Sequence, residues 1–167
     1  GLGDVYKRQL LALSVPIVKP DTIKCPTKDI RISDHGEWRH LHWNAIASAY
    51  GSSPFFEYYQ DDIRPFFEKR YEFLLDFNEE IRRTVCNLIG IEPHIEYSSS
   101  YSEPAPGETD LRDVIHPKRR KAETILPVQL KPYYQVFSEK YGFQPDLSII
   151  DLLMNMGPES ILILQNT

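Results

Sequence analysis

The chain has 167 residues, of which 41% are hydrophobic and 26% are charged, and its net charge is -5. This length is enough for one domain with a buried core, and the composition lies outside the range of disordered proteins. The acidic balance argues against nucleic acid or an anionic membrane surface as a partner, because both attract basic proteins. Two cysteines are too few for a disulfide scaffold and favour the reducing cytoplasm. No apolar run is long enough to span a membrane.

The first nine residues differ in character from the rest of the chain. Residues 1–9 (GLGDVYKRQ) look like a translated adapter remnant, and we expect them to be non-native. Residues 10–18 alternate apolar and other side chains from the outset, which predicts a strand whose beginning is missing. A second short strand is predicted over residues 30–33. We therefore expect an α+β fold in a single domain over residues 10–167, with a small, incomplete β-sheet packed against several helices and the N-terminal part absent.

Helices are predicted from capping residues and from helical spacing. Asp34 and Glu37 have the spacing of a capping box, which predicts a helix over residues 36–50. Ser53, followed by proline, predicts the cap of a short aromatic helix that ends near Asp61 or Asp62. Further helical segments are predicted over residues 65–70, 77–89 (closed by Gly90), 133–141 and 147–154, the last capped by Asp146 or Ser148.

Between these helices, residues 98–126 are rich in Ser, Glu, Pro, Gly and charge. This composition predicts a long exposed loop, and a loop of that length inside a domain is usually functional or mobile. The dinucleotide-binding glycine pattern, the phosphate-binding loop, the nucleophile elbow and the paired-cysteine zinc spacings are all missing from the sequence. Adjacent carboxylates and a short basic cluster at residues 118–121 are better explained as solvated surface groups.

The most informative segment is DHGEWRHLHWNAIASAY, residues 34–50. At about 100° per residue, His42 falls near the middle of the apolar face of the helix, and His40 falls on the opposite face. His35 lies two turns before His42, so His35, Trp38 and His42 form one stripe that predicts the lining of a pocket. The alternative is a core histidine at position 42 that is hydrogen-bonded to the backbone. No third ligand is marked by spacing, so no metal site is predicted.

Four segments have a distinctive pattern. They are KDIRISDHGEWRHLHWNAIASAYGSSPFFEYY, DLRDVIHPK, KPYYQVFSEKYGF and PDLSIIDLLMNMGPES. The first resembles the central motif of the WbqC-like family and the others resemble its C-terminal motifs, particularly in the form common in the Bacteroides group. The likeness covers about residues 10–164. The His-Gln-Pro segment near the start of the family is missing here, as expected of a truncated chain, and the resemblance assigns neither a catalytic residue nor a cofactor.

This resemblance implies a cytoplasmic bacterial protein of surface-polysaccharide or O-antigen biosynthesis. The implied activity is transfer of glycine or another small acyl group to a sugar, so the expected partner is a small-molecule or sugar-linked substrate. The stripe of His35, Trp38 and His42 would then line the pocket together with Arg112, whose guanidinium can hold a phosphate or carboxylate bidentately. The alternative function is a non-catalytic binding or assembly protein of the same pathway, with the aromatic helix and the long loop as its partner surface.

Overall fold

A computed structural model describes residues 2–4, 9–22, 25–98, 100–111 and 131–165. Helices dominate this part of the chain. The α-helices are α1 (Trp38–Tyr50), α2 (Phe56–Ile63), α3 (Leu74–Ile89), α4 (Ser138–Tyr141), α5 (Ile149–Met156) and α6 (Ser160–Gln165). Short 3-10 turns occupy Thr27–Asp29, Arg64–Phe67 and Gly157–Glu159. None of the helices described is long and apolar enough to cross a membrane.

The β structure is far smaller than predicted. Strand β1 (Leu2–Asp4) pairs antiparallel with β2 (Gln9–Leu11). Elsewhere in the described residues there are only two isolated bridges, which join Ile17 to Ile32 and Arg31 to Phe73. A pair of three-residue strands has no face on which several helices can pack. The α+β prediction, with a β-sheet packed against helices, is therefore wrong, and the described fold is helical.

The predicted strand over residues 10–18 failed for an identifiable reason. Leu13 and Val15 are partly buried and pack on two different hydrophobic clusters of the helical core, while Ala12 and Ser14 face solvent. An extended segment lying on a helical core needs the same alternation as a strand in a sheet. The pattern therefore indicated an extended backbone but not what that backbone packs against.

Helix α1 ends where the sequence predicted, and it begins slightly later. Gly51 follows the last residue, and its N–H donates to the carbonyl of Ala47 at 2.8 Å. At the other end, no side chain caps the helix, and Glu37 occupies the N-cap position. The predicted capping box does not form because the Asp34 carboxylate pairs with the guanidinium of Arg39.

The remaining helix predictions were met in part. Gly90 adopts the left-handed conformation, with φ of 82°, and closes α3 as predicted. The Ser148 hydroxyl caps α5, because it accepts a hydrogen bond from the N–H of Ile150 at 3.3 Å. Helix α2 begins after Phe55 rather than after a Ser53 cap. Of the predicted loop, residues 100–111 are exposed and lack helix or strand, and residues 112–126 lie outside the described part of the chain.

Two neighbouring hydrophobic clusters form the core, and α1 contributes to both. The larger cluster contains Ile46, Ala49, Tyr50, Phe56, Tyr59, Ile63, Val85, Ile89, Leu153 and Met154. The smaller contains Ile32, Trp38, Phe66, Tyr71 and Phe77. Partly buried Phe67 and Ile81 pack against both clusters. The first turn of α1 is therefore held firmly against the 3-10 turn Arg64–Phe67 and the start of α3, and a cleft opens where these elements meet.

Glycine is required where α5 gives way to the last helix. Gly157 has a φ of +55°, and a β-carbon at this position would lie 2.5 Å from ring atoms of Phe55. The N–H of Phe55 also donates to the carbonyl of Met154 at 3.1 Å. Only a residue without a side chain fits both the backbone conformation and this close approach. The contact fixes the end of α5 against the start of α2.

Candidate anion-binding cleft

A cleft of about 340 Å³ opens at the start of α1. Its opposite wall is the 3-10 turn Arg64–Phe67 together with the segment after that turn. The cleft combines cations, carboxylates and aromatic rings. Its charged lining residues are Arg39, Arg64, Arg70, Asp34, Glu37 and Glu68, and its aromatic ones are Trp38, Trp43 and Phe67. We call it the arginine cleft.

Arg39 is the most unusual residue of the arginine cleft. Its side chain is only 15% exposed, and its Nη1 atom lies 2.7 Å from Oδ1 of Asp34. The Nε and Nη2 atoms are buried and have no hydrogen-bond partner among the described residues. These two nitrogens form one edge of the guanidinium, which we call the side-on edge. Buried donors without acceptors cost about 1 to 3 kcal/mol, so their retention points to an acceptor that is not part of the described chain.

The position of Arg39 follows from the geometry of α1. At about 100° per residue, Arg39 projects between Ile46 and Tyr50, on the buried face of the helix. Because it lies in the first turn, its long side chain can leave the core and reach the arginine cleft. It also stacks on the neighbouring indole, with the guanidinium carbon 4.6 Å from the ring centroid of Trp38. A lone arginine in an apolar arc is the signal by which the sequence could have revealed this residue.

The other two arginines of the cleft come from a different part of the chain. The Nη1 atom of Arg70 lies 3.6 Å from Oδ2 of Asp34, and this arginine is 81% exposed. The Nε atom of Arg64 lies 2.6 Å from Oε1 of Glu68, and its guanidinium carbon is 6.0 Å from the Trp43 ring. Three guanidinium groups next to aromatic rings can hold an anionic group while the carboxylates accept from hydroxyls or amines.

The aromatic wall of the arginine cleft is continuous. The rings of Trp43 and Phe67 lie 6.2 Å apart and are tilted by 33°, and Trp43 also stacks on Phe56 at 6.1 Å. Trp43 is half-buried, so part of its surface is available. Aromatic faces are common platforms for the apolar faces of sugar rings and for bases, because both stack on a flat π surface.

His42 lies behind this wall rather than in the cleft. It is 7% exposed, and its ring contacts Trp38 edge-on at 5.1 Å and Phe67 at 6.2 Å. Burial lowers the pKa of His42 below its usual value, and a hydrogen bond with the Ser14 backbone opposes that effect. The imidazole is therefore neutral at pH 7, and it supports the two aromatic side chains that line the arginine cleft.

The structure separates the residues of the predicted stripe. Trp38 lines the arginine cleft and donates from Nε1 to the carbonyl of Ser33 at 3.1 Å. His35 is exposed and is not a lining residue, whereas His40, which the sequence placed outside, borders the cleft and lies 2.9 Å from the amide of Asn44. Arg112 lies outside the described residues. Within the described ranges, no three His, Cys, Asp or Glu side chains are close enough to hold a metal ion.

A second polar group is buried around α5, and we call it the Asp151 cluster. Asp151 is 5% exposed, and its Oδ2 atom accepts from the Tyr133 hydroxyl at 2.8 Å and from Nε2 of Gln135 at 2.9 Å. Asn155 joins the cluster because its side-chain oxygen accepts from the backbone N–H of Val136 at 3.0 Å. These bonds hold residues 133–136 in a non-helical conformation, so only α4 forms within the helix predicted over residues 133–141.

Burial dominates the electrostatics of the Asp151 cluster. It raises the pKa of the Asp151 carboxyl, although the hydrogen bonds from Tyr133 and Gln135 act in the opposite direction. The pKa values of Tyr50 and Tyr133 are raised as well, by burial first and then by the nearby carboxylate. Both phenols therefore stay protonated at neutral pH, and the Tyr133 hydroxyl donates to Asp151.

Comparison with known proteins identifies the family of the chain. Residues 5–126 match the sequence model of the WbqC-like protein family. The chain belongs to this family. All residues that line the arginine cleft fall within the matched span of this WbqC-like chain, whereas the Asp151 cluster lies after it. The family assignment thus covers the part of the chain that carries the candidate site.

One relative of the WbqC-like chain is the uncharacterized protein Rv1507c of Mycobacterium tuberculosis (strain ATCC 25618 / H37Rv). It is 25% identical over 149 residues, which cover 76% of this chain and 64% of the relative. The WbqC-like chain therefore spans less than two thirds of the length of that curated relative. No solved structure matches.

Proposed function

We propose that this WbqC-like chain binds an anionic, sugar-linked small molecule in the arginine cleft. We further propose that the intact protein transfers a small acyl group, such as glycine, to that sugar in surface-polysaccharide biosynthesis. The binding proposal depends on one observation, the buried side-on edge of Arg39, which has no partner in the described part of the chain. The transfer proposal is supported by family membership.

The side-on edge of Arg39 explains why the ligand is anionic. The N–H bonds of Nε and Nη2 are parallel, so they match two oxygens of one phosphate or carboxylate. Asp34 contacts Nη1 and makes no hydrogen bond to this edge. Because both nitrogens are buried, the guanidinium has to change its rotamer to meet the ligand. The gain on binding is then large, since donors that are unsatisfied in the free protein become hydrogen-bonded.

The remaining lining of the arginine cleft fits the sugar. Trp43 offers a ring face, and Glu37 is an exposed carboxylate that can accept from hydroxyls or from an amine. In the proposed transfer, an amine or hydroxyl of the sugar attacks the acyl carbonyl of an activated donor such as a thioester. A new amide or ester bond forms, and the thiol leaves with the proton lost by the nucleophile. Two free cysteines, Cys25 and Cys86, support a cytoplasmic location for this reaction.

Calorimetric titration tests the binding proposal. Glucose 1-phosphate and uridine diphosphate glucose are expected to bind, whereas glucose binds weakly because it lacks the anion. Arg39→Lys keeps the charge but removes the side-on edge, so affinity should fall about tenfold or more. Arg83→Lys is the matched control, since Arg83 is exposed on α3 and is not among the cleft residues. Equal affinity in both variants would contradict the proposal.

A separate assay tests transfer. The intact protein is incubated with an amino-sugar phosphate and glycyl or acetyl thioesters, and the sugar product is examined by mass spectrometry. Transfer predicts a sugar that gains the mass of the acyl group, and the gain should be much slower with Arg39→Lys. Binding of the sugar phosphate without any acyl transfer to it from the donors would favour the alternative, a non-catalytic binding protein.

A further inference from the structure

Asp34 occupies an unusual position in the arginine cleft. Its two carboxylate oxygens face two different guanidinium groups: Oδ1 lies 2.7 Å from Nη1 of Arg39, and Oδ2 lies 3.6 Å from Nη1 of Arg70. The two arginines come from α1 and from the segment between the 3-10 turn and α3. Two cations from separate segments thus converge on a single internal anion.

This arrangement is not needed to hold α1. Asp34 lies three residues before the N-cap position, and no side chain makes a capping hydrogen bond to the helix. Its side chain is 51% exposed, so the carboxylate stands at the rim of the cleft, beside the buried guanidinium of Arg39. The pair of Asp34 with Arg70 is exposed on both sides, and such pairs contribute about 1 kcal/mol or less to stability. The stability of the fold therefore gives little reason for the second of these pairs, which brings Arg70 to the same carboxylate as Arg39.

We propose that Asp34 is an internal competitor that occupies part of the anion site and is displaced when the ligand's phosphate binds. This inference rests on the proposed function, because it assumes that an anion binds in the arginine cleft. A ligand that displaces Asp34 replaces one negative charge next to Arg39 and Arg70. A carboxylate ligand brings a single charge and gains little by the exchange, whereas a phosphate monoester brings almost two and gains more. The cost of displacing Asp34 is the same for every ligand, so Asp34 lowers the affinity for all anions by one factor, and only those that pair more strongly with the arginines than a carboxylate does still bind well.

Two ligands and two matched charge changes test the competitor role. Glucose 1-phosphate and glucuronate are titrated at pH 7.5 and constant salt into the wild type and Asp34→Asn. Removal of the competing charge should tighten the binding of both ligands by a similar factor, about fivefold or more. Glu37→Gln is the control because it changes the same charge in the same cleft, and Glu37 has no ion pair with an arginine of the described chain. Its gain should be about twofold or less.

The outcomes separate this inference from the proposed function. Tighter binding of both ligands by Asp34→Asn than by Glu37→Gln supports the competitor role. Unchanged or weaker binding by Asp34→Asn overturns it and shows that Asp34 holds Arg39 in place, while binding by the wild type still supports the proposed function. Equal gains in the two variants also overturn it, because they reflect only the overall charge of the cleft. No binding by any of the three proteins ends both proposals.

Discussion

The arginine cleft and the Asp151 cluster each contain a charged side chain with little solvent exposure, but the two side chains differ in their hydrogen-bond partners. Asp151 is 5% exposed, and its carboxylate accepts two hydrogen bonds from side chains that are themselves held in place. Arg39 is 15% exposed, and its side-on edge has no partner among the described residues. A buried charge with its partners in place contributes to a specific fold, whereas one without partners costs stability and calls for a functional reason.

The contrast gives each region a different expected response to mutation. Removing Asp151 leaves buried donors without an acceptor, so the substitution should lower the free energy of unfolding. Removing Arg39 takes away donors that have no acceptor in the free protein, so the substitution should lower ligand affinity and hardly change stability. Substitutions at Asp151, His42 and Arg39 test this difference, and Asp151 has the largest expected effect.

Asp151→Ala should lower the free energy of unfolding by about 2 to 4 kcal/mol. The substitution leaves the Tyr133 hydroxyl and the Gln135 amide buried without their acceptor. Asp151→Asn keeps one oxygen as an acceptor and should lose clearly less. Urea denaturation measures both, with Asp61→Ala as the exposed control. A loss below about 1 kcal/mol for Asp151→Ala would contradict the claim that the Asp151 cluster stabilises the fold.

His42→Ala should cost about 1 to 3 kcal/mol of stability, because it leaves a cavity between the rings of Trp38 and Phe67. His40→Ala should change stability by no more than about 0.5 kcal/mol, since this side chain is exposed. Thermal or urea denaturation of the two variants gives the comparison. A large loss of sugar-phosphate affinity in a fully stable His42→Ala protein would instead place His42 in the binding site.

Acid should weaken the fold through His42. The unfolded residue titrates near pH 6.5, and burial lowers its pKa in the folded state. Between these two values the unfolded chain binds more protons, so the stability that comes from neutral His42 is fully present above about pH 6.5 and is lost as the pH falls. His42→Gln should therefore lose less stability than the wild type between about pH 7.5 and pH 5.5. Parallel stability curves for the two proteins would contradict this.

Arg39→Met should have the smallest effect on stability, about 1 kcal/mol or less in either direction. The substitution removes the unsatisfied donors of the side-on edge along with the ion pair to half-exposed Asp34. Urea denaturation of Arg39→Met and Asp151→Ala under the same conditions compares the stability that each region contributes. A loss as large as that of Asp151→Ala would mean that Arg39 is part of the fold's own polar network.

Local signals in the sequence predicted several helices well. The end of α1 at Gly51, the left-handed Gly90 and the Ser148 cap each depend on a few neighbouring residues, so the sequence contains what is needed to find them. The sheet prediction failed because residues 10–18, in which buried and exposed side chains alternate, pack on a helical core. Such alternation indicates an extended backbone but does not identify its packing partner.

The candidate site was predicted less completely than the helices. Trp38 was expected at a pocket and does line the arginine cleft. Arg39 was not predicted, although the same helical count places it on the buried face. Arg64 and Arg70 could not be found in this way, since their approach to α1 depends on how a distant turn packs against it.

The most direct test of the central claim observes the side-on edge of Arg39 itself. Nitrogen-resolved NMR detects arginine Nε–H groups individually, and the Arg39 signal is assigned by its loss in Arg39→Lys. On addition of glucose 1-phosphate, the Arg39 signal should shift progressively and saturate with the affinity measured by calorimetry, while the signal of Arg83 stays in place. An Arg39 signal that does not move while glucose 1-phosphate binds would contradict the assignment of the arginine cleft as the anion site.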